Sequence, residues 1–144
     1  MKLSGSYEFN ASPEKVWQTL TNPDCLSTCI PGCEKMEAIG DNEYAATVSI
    51  AMGPIRSKFD ARVKMLDLKP HKSYRLSIEG KGPSGFIKGE SDVELTEDNG
   101  KTTVSVESES SSGGLLARVG QRMVESFAKS MMDRFFTCLQ KSMK

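Results

Sequence analysis

The chain has 144 residues, with 19 Lys and Arg balanced by 19 Asp and Glu, one histidine and four cysteines. A chain of that length builds one domain around one core, so 1–144 is read as a single unit, and its balanced charge removes the basic field that non-specific nucleic-acid binding needs. It has no run of about eighteen apolar residues for a membrane span, and the alternating, charged segment 1–9 lacks a secretory leader's apolar centre, so a cytoplasmic protein is expected.

Residues 2–10 alternate, with Leu3, Gly5, Tyr7 and Phe9 on one side and Lys2, Ser4, Ser6 and Glu8 on the other, as in a strand with one buried face. Ser12-Pro13-Glu14-Lys15 reads as a helix start: a capping serine, proline at the first helical position and an acid in the first turn. Val16, Trp17 and Leu20 form the inner face of that short helix. Asn22-Pro23-Asp24 ends it and starts a second, which carries Leu26 and stops before Pro31-Gly32.

From Cys33 a meander of strands follows. Residues 33–39 lead to a turn at Gly40-Asp41-Asn42, and Tyr44, Ala46, Val48, Ile50 and Met52 then alternate inward as far as Gly53-Pro54. Ile55, Ser57, Phe59, Ala61, Val63 and Met65 face in against Arg56, Lys58, Asp60, Arg62 and Lys64, the clearest period-two pattern in the chain. After the turn at Lys69-Pro70-His71-Lys72 the inward set is Tyr74, Leu76, Ile78 and Gly80. After Gly82-Pro83-Ser84-Gly85 it is Ile87, Gly89, Ser91, Val93 and Leu95, and after Glu97-Asp98-Asn99-Gly100 it is Thr102, Val104, Val106, Ser108 and Ser110.

The remainder, 113–144, contains no proline and spaces Leu116, Val119, Met123, Phe127, Met131, Phe135, Cys138 and Leu139 by threes and fours, predicting one amphipathic helix of about eight turns and roughly 40 Å. Val124, Ala128, Met132 and Phe136 widen its apolar arc, which suits a curved sheet better than a coiled-coil seam. Its methionines at 123, 131, 132 and 143 are flexible fillers, either core packing or one wall of a ligand cavity. The predicted fold class is α+β: a seven-stranded antiparallel curved sheet gripping one long C-terminal helix, with two short helices between strands 1 and 2.

In an antiparallel meander alternate turns share an end. One end gathers the polar turns around Asp41, His71 and Asn99. The other gathers Ile30-Pro31-Gly32, Met52-Gly53-Pro54-Ile55, Gly82 through Phe86, and Gly113 through Leu116, each rich in Gly or Pro and carrying an apolar residue. Apolar loop tips mark a surface that meets a ligand, membrane or partner, unless they fold inward and plug the core. Nearby Arg56, Lys81, Lys88, Arg118 and Arg122 suit anionic headgroups. Small inward residues such as Ser57, Ala61, Gly80, Gly89 and Ser91 beneath a long helix predict unfilled, largely apolar volume open at that end. Cys25, Cys29 and Cys33 recur every four residues, but zinc sites favour paired knuckles with a fourth ligand; with Cys138 they are read as small buried hydrophobes in a reducing compartment, with no metal site.

The element order resembles the START-like, helix-grip (SRPBCC) superfamily. The segments Lys2-Leu3-Ser4-Gly5-Ser6-Tyr7, Ser12-Pro13-Glu14-Lys15-Val16-Trp17, Cys29-Ile30-Pro31-Gly32-Cys33, Met52-Gly53-Pro54-Ile55, Gly80-Lys81-Gly82 and Gly85-Phe86 resemble the G-subunit family of carbon monoxide dehydrogenase over the whole chain. The resemblance implies a binder or carrier of a hydrophobic ligand, a lipid or isoprenoid quinone, with no obligatory cofactor. It would assist a molybdenum hydroxylase of the carbon monoxide dehydrogenase type through maturation, membrane recruitment or quinone carriage. Some family members carry a membrane-associating C-terminal extension; with the chain ending at Lys144, the expectation is transient contact at the inner face of the membrane.

The expected ligand-binding residues are Trp17, Ile30, Met52, Ile55, Phe59, Ile78, Phe86, Gly89, Ser91, Leu116, Val119, Met123 and Phe127. Superfamily relatives include cyclases and hydrolases, so a small-molecule enzyme is the competing reading, and a protein-interaction module with a filled core is a third. Acid–base chemistry needs a titratable group inside the cavity. His71 lies in a polar turn, Glu90, Glu94, Glu107 and Glu109 face outward, and Tyr7, Tyr44 and Tyr74 suit core packing, so no catalytic residue is assigned.

Overall fold

The computed structural model describes residues 1–143. The strands are β1 (Lys2–Phe9), β2 (Cys33–Gly40), β3 (Glu43–Met52), β4 (Ile55–Lys69), β5 (Ser73–Gly82), β6 (Gly85–Asp98) and β7 (Lys101–Gly113). They form one antiparallel sheet in the order β1-β7-β6-β5-β4-β3-β2, so the chain's first strand closes beside its last. Two short helices, α1 (Pro13–Leu20) and α2 (Pro23–Cys29), connect the two edge strands. Each starts as its sequence dictates, with proline in the first turn and a side-chain cap: Ser12 accepts from the Lys15 amide at 3.3 Å, and Asn22 accepts from the Asp24 amide at 2.9 Å.

The turns sort into two ends as the meander requires. At the polar end Asn42, His71 and Asn99 all adopt positive φ, a conformation Asn tolerates well, and Asn99-Gly100 makes a tight hairpin. The lone histidine is thus a turn residue.

The C-terminal region departs from the expected single helix. β7 runs on to Gly113, which pairs with Phe86, and Gly114 then turns the chain at φ 72°. A single helical turn follows, α3 (Leu115–Arg118), and Gly120 at φ 98° separates it from the long helix α4 (Gln121–Ser142). Spacings of three and four run unbroken across this break because α3 and α4 each turn most of the expected face toward the sheet, Met123 alone standing exposed; only the glycine betrays it. At about 1.5 Å per residue α4 spans roughly 33 Å. The last residue of the expected helix, Lys144, lies outside the described residues.

α4 lies against the inner face of the sheet, but unevenly. Its C-terminal half buries Phe136 and Leu139 in the main core with Phe9, Leu20, Leu26, Tyr74 and Val104, whereas Val124 and Phe127 in its first half are only partly buried. The flank facing β1 is held by polar bonds. Tyr7 Oη donates to Asp133 Oδ1 at 2.6 Å, Gln140 Nε2 to the Glu8 carbonyl at 2.7 Å and Lys129 Nζ to the Ser4 carbonyl at 3.5 Å.

The cysteines also depart from expectation. Cys29 and Cys138, with Cα atoms 5.4 Å apart, form a disulfide tying the end of α2 to α4, while Cys25 and Cys33 remain free thiols. Local spacing hid this pairing because the partners are 109 residues apart.

Candidate functional site

Between the sheet's concave face and α4 lies a cavity of about 680 Å³. Its origin is visible strand by strand. The inward columns read Ala46, Val48 and Ile50 on β3, Phe59, Ala61 and Val63 on β4, and Ile78 and Gly80 on β5. On β6 and β7 the inward residues near the mouth shrink to Gly89, Ser91, Ser108, Ser110 and Ser112. Opposite them stand Val124, Phe127, Met131 and Phe135 of α4, and Leu26, Ile30 and Pro31 close the α2 side. Ile78 points into this space yet is 37% exposed, which measures how much of the interior is empty.

All of the lining side chains are neutral. The polar ones are mostly serines on one wall, where Ser91 and Ser108 hydrogen-bond each other across β6 and β7. Ser110 lends its carbonyl to the Met1 amino group at 2.9 Å. Burial pushes the Tyr74 phenol upward, so it stays protonated through the neutral range. Tyr7 lies beside α4; burial and then its bond to Asp133 push its phenol upward as well.

Of the expected binding residues, Ile30, Met52, Phe59, Ile78, Gly89, Ser91 and Phe127 line the cavity. Ile55 and Leu116 instead pack with Met52 and Phe59 into a buried cluster at the mouth, with Val119 against it. Part of the apolar loop end therefore does fold inward, and Leu116 is anchored there by its amide, which donates to the Ser84 carbonyl at 3.0 Å. Phe86 and Met123 stand on the rim, 45% and 39% exposed, with Leu115 beside them at 51%. The Phe86 ring covers Gly113 so closely that a Cβ there would sit 2.2 Å from it, and Met123 covers Gly53 in the same way, at 2.5 Å. Trp17 belongs to the main core, edge-on to Tyr74 at 5.5 Å and to His71 at 6.2 Å between ring centroids, and does not line the cavity. Met131, Phe135 and Tyr74 line the cavity as well; the sequence shows their inward parity but not the depth to which the empty volume reaches.

Arg56, Lys81, Arg118 and Arg122 are exposed around the mouth and, among the described residues, none has a carboxylate within ion-pair distance. No helix among the described residues is long and apolar enough to cross a membrane, and no cluster of three or more His, Cys, Asp or Glu among them is arranged to hold a metal ion.

The family model for the carbon monoxide dehydrogenase G-subunit (CoxG) matches residues 5–144. The chain belongs to the CoxG family. A conserved protein from Geobacillus kaustophilus shares 34% identity with this CoxG chain at a TM-score of 0.94, with 99% of this chain and 94% of that one aligned. Two more distant structures share the START-like fold. A START superfamily protein from Mycobacterium smegmatis aligns at TM-score 0.72 and 13% identity over 98% of this chain and 95% of its own. The Zhui aromatase/cyclase from Streptomyces sp. R1128 aligns at 0.69 and 12% over 99% and 92%. No curated protein matches the chain in sequence.

Proposed function

We propose that this CoxG-family protein is a non-catalytic carrier that takes up a hydrophobic molecule, a lipid or an isoprenoid quinone. In this reading it serves a molybdenum hydroxylase of the carbon monoxide dehydrogenase type in maturation, membrane recruitment or electron-acceptor delivery. The observation that carries the proposal is the cavity: about 680 Å³ of space with neutral, mostly apolar walls, within the range of small-molecule sites and far larger than a packed interior leaves by accident. The one ionisable side chain in the lining, the Tyr74 phenol, is pushed upward by burial and stays protonated, so the walls offer no acid or base side chain tuned to neutral pH, which favours a binder over an enzyme.

The rim supports uptake at a membrane surface. Phe86, Leu115 and Met123 present apolar tips, and the exposed Arg56, Lys81, Arg118 and Arg122 surround them, so the mouth is suited to transient contact with an anionic bilayer at the inner face of the membrane. Native mass spectrometry of the purified full chain, followed by solvent extraction, tests the carrier reading. A lipid or quinone at near-stoichiometric amount is expected. An empty protein that also refuses added quinone and neutral lipid would overturn it.

A further inference from the structure

The two flanks of α4 are secured by different chemistry. Toward β1 it is held by the three side-chain hydrogen bonds from Tyr7, Lys129 and Gln140. Toward α2, among the described residues, no hydrogen bond or ion pair crosses; the polar side chains of α2 satisfy themselves on their own helix, as Ser27 and Thr28 do on the Asp24 carbonyl. What joins α2 to α4 is apolar contact and the Cys29–Cys138 disulfide.

That bond is placed to matter for the cavity. Cys29 is the last residue of α2, and the next two residues, Ile30 and Pro31, line the cavity. Cys138 follows Phe135 and Phe136, which line it from α4. The bond therefore clasps the seam between two walls of the same space, on the flank that lacks polar ties.

We propose that the Cys29–Cys138 disulfide is a redox-operated latch on the cavity: oxidised, it holds the α2 wall against α4; reduced, it frees α2 and the Ile30-Pro31 segment to move away from α4, which its bonds to β1 hold in place, opening a path for exchange. The reductant is a dithiol protein or small dithiol. One of its thiolates attacks Sγ of Cys138, the less buried partner, forming a mixed disulfide while Cys29 leaves as a thiolate and takes a proton. The second thiol of the reductant then displaces Cys138, so two electrons and two protons pass to the protein and the dithiol becomes a disulfide. The latch stands on the disulfide's position; its effect on exchange rests on the carrier reading.

The test uses the full chain with and without dithiothreitol. Alkylation should count two thiols in the oxidised protein, Cys25 and Cys33, and four after reduction. Hydrogen exchange should show the α2 amides losing protection on reduction well beyond the loss at β4, β5 and β6 that the lower global stability brings. Release of the neutral fluorophore N-phenyl-1-naphthylamine should quicken by about ten-fold or more, as expected for local opening along one seam. The C29S/C138S pair should release fast in either condition, whereas C25S/C33S should keep the response. Unchanged exchange at α2 after four thiols are counted would overturn the latch, as would an equal loss of protection at α2 and at β4, β5 and β6, which would make the bond a structural staple. If α2 opens as expected but neither state takes up the fluorophore, the latch survives and the carrier reading falls.

Discussion

Gly80→Leu is the sharpest probe of whether ligand occupies the cavity. Gly80 lies on β5 between Ala61 of β4 and Ile87 of β6, and its open side faces the cavity. A Cβ built there would sit 3.9 Å from the Phe59 ring, an ordinary contact, so the backbone accepts a side chain. Leucine adds four carbons, roughly 100 Å³ at protein packing density, to a space of about 680 Å³. A bound chain must withdraw about four methylenes to make room; at about 0.8 kcal/mol each that costs about 3 kcal/mol, or roughly 200-fold in affinity. Stability should hold or rise, since a glycine within a strand is weaker by about 0.5–1 kcal/mol and the new side chain lands on an apolar wall. Fluorophore titration reads the affinity and calorimetry the melting temperature. A folded variant whose affinity stays within about two-fold of the parent would refute the reasoning. Gly89 is a poorer choice, because a Cβ there would press on Ser110 Cβ at 3.1 Å and the Glu109 carbonyl at 3.3 Å, confusing filling with strain between β6 and β7.

Three further outcomes are expected. Replacing both Phe86 and Leu115 by Ser should reduce co-sedimentation with phosphatidylglycerol-containing vesicles several-fold without altering the melting temperature, since both side chains are half exposed; unaltered binding would remove the rim as the contact surface. Asp133 is held below the usual carboxylate range, first by the Tyr7 hydrogen bond and then by Lys129, so it stabilises the fold above its unfolded pKa and that contribution is lost as pH falls through its lower folded value. Asp133→Asn should therefore flatten the acid limb of urea-midpoint against pH, and parallel acid limbs would contradict this. Cys138→Ser removes a 109-residue cross-link and should lower the unfolding free energy by up to about 4.7 kcal/mol in the chain-entropy account; an unchanged urea midpoint relative to the oxidised parent would show that the unfolded chain gains nothing from the bond.

The sheet was legible because its burial is one-sided. Along 55–65 every second residue is apolar or small, and a one-residue slip would turn Phe59, Val63 and Met65 to solvent, so parity alone sets the register that the structure adopts. Helix starts were legible from Ser12-Pro13 and Asn22-Pro23 for a similarly local reason. Parity says which face a residue takes but not how far along the barrel-like trough it lies. Trp17 is therefore among the expected binding residues although it packs at the closed end, and Ile55 and Leu116 are among them although they pack into a buried cluster beside the mouth. The Gly120 break and the Cys29–Cys138 bond were hidden for opposite reasons: one is a single φ angle inside a continuous pattern, the other a contact with no local pattern at all.

The break at Gly120 gives the mouth its shape. Had the chain run helical from 113, the Gly113 backbone could not have paired with Phe86, and the ring would have lost the flat seat that holds it at the rim. Ending β7 late and starting α4 late leaves a seven-residue strap, 114–120, whose one buried anchor is Leu116, with exposed Leu115 and Arg118 on its outer side. Both glycines bounding it have positive φ, and a Cβ at Gly120 would meet nothing within 4 Å, so its requirement is conformational rather than steric. Gly114 is different: a Cβ there would collide with the Gly85 backbone at 2.7 Å. The strap is thus clamped at Gly114, packed through Leu116 and Val119, and open only around Gly120 itself. Movement at the mouth is accordingly expected to pivot on Gly114 and be absorbed at Gly120, leaving the register of β6 and β7 intact.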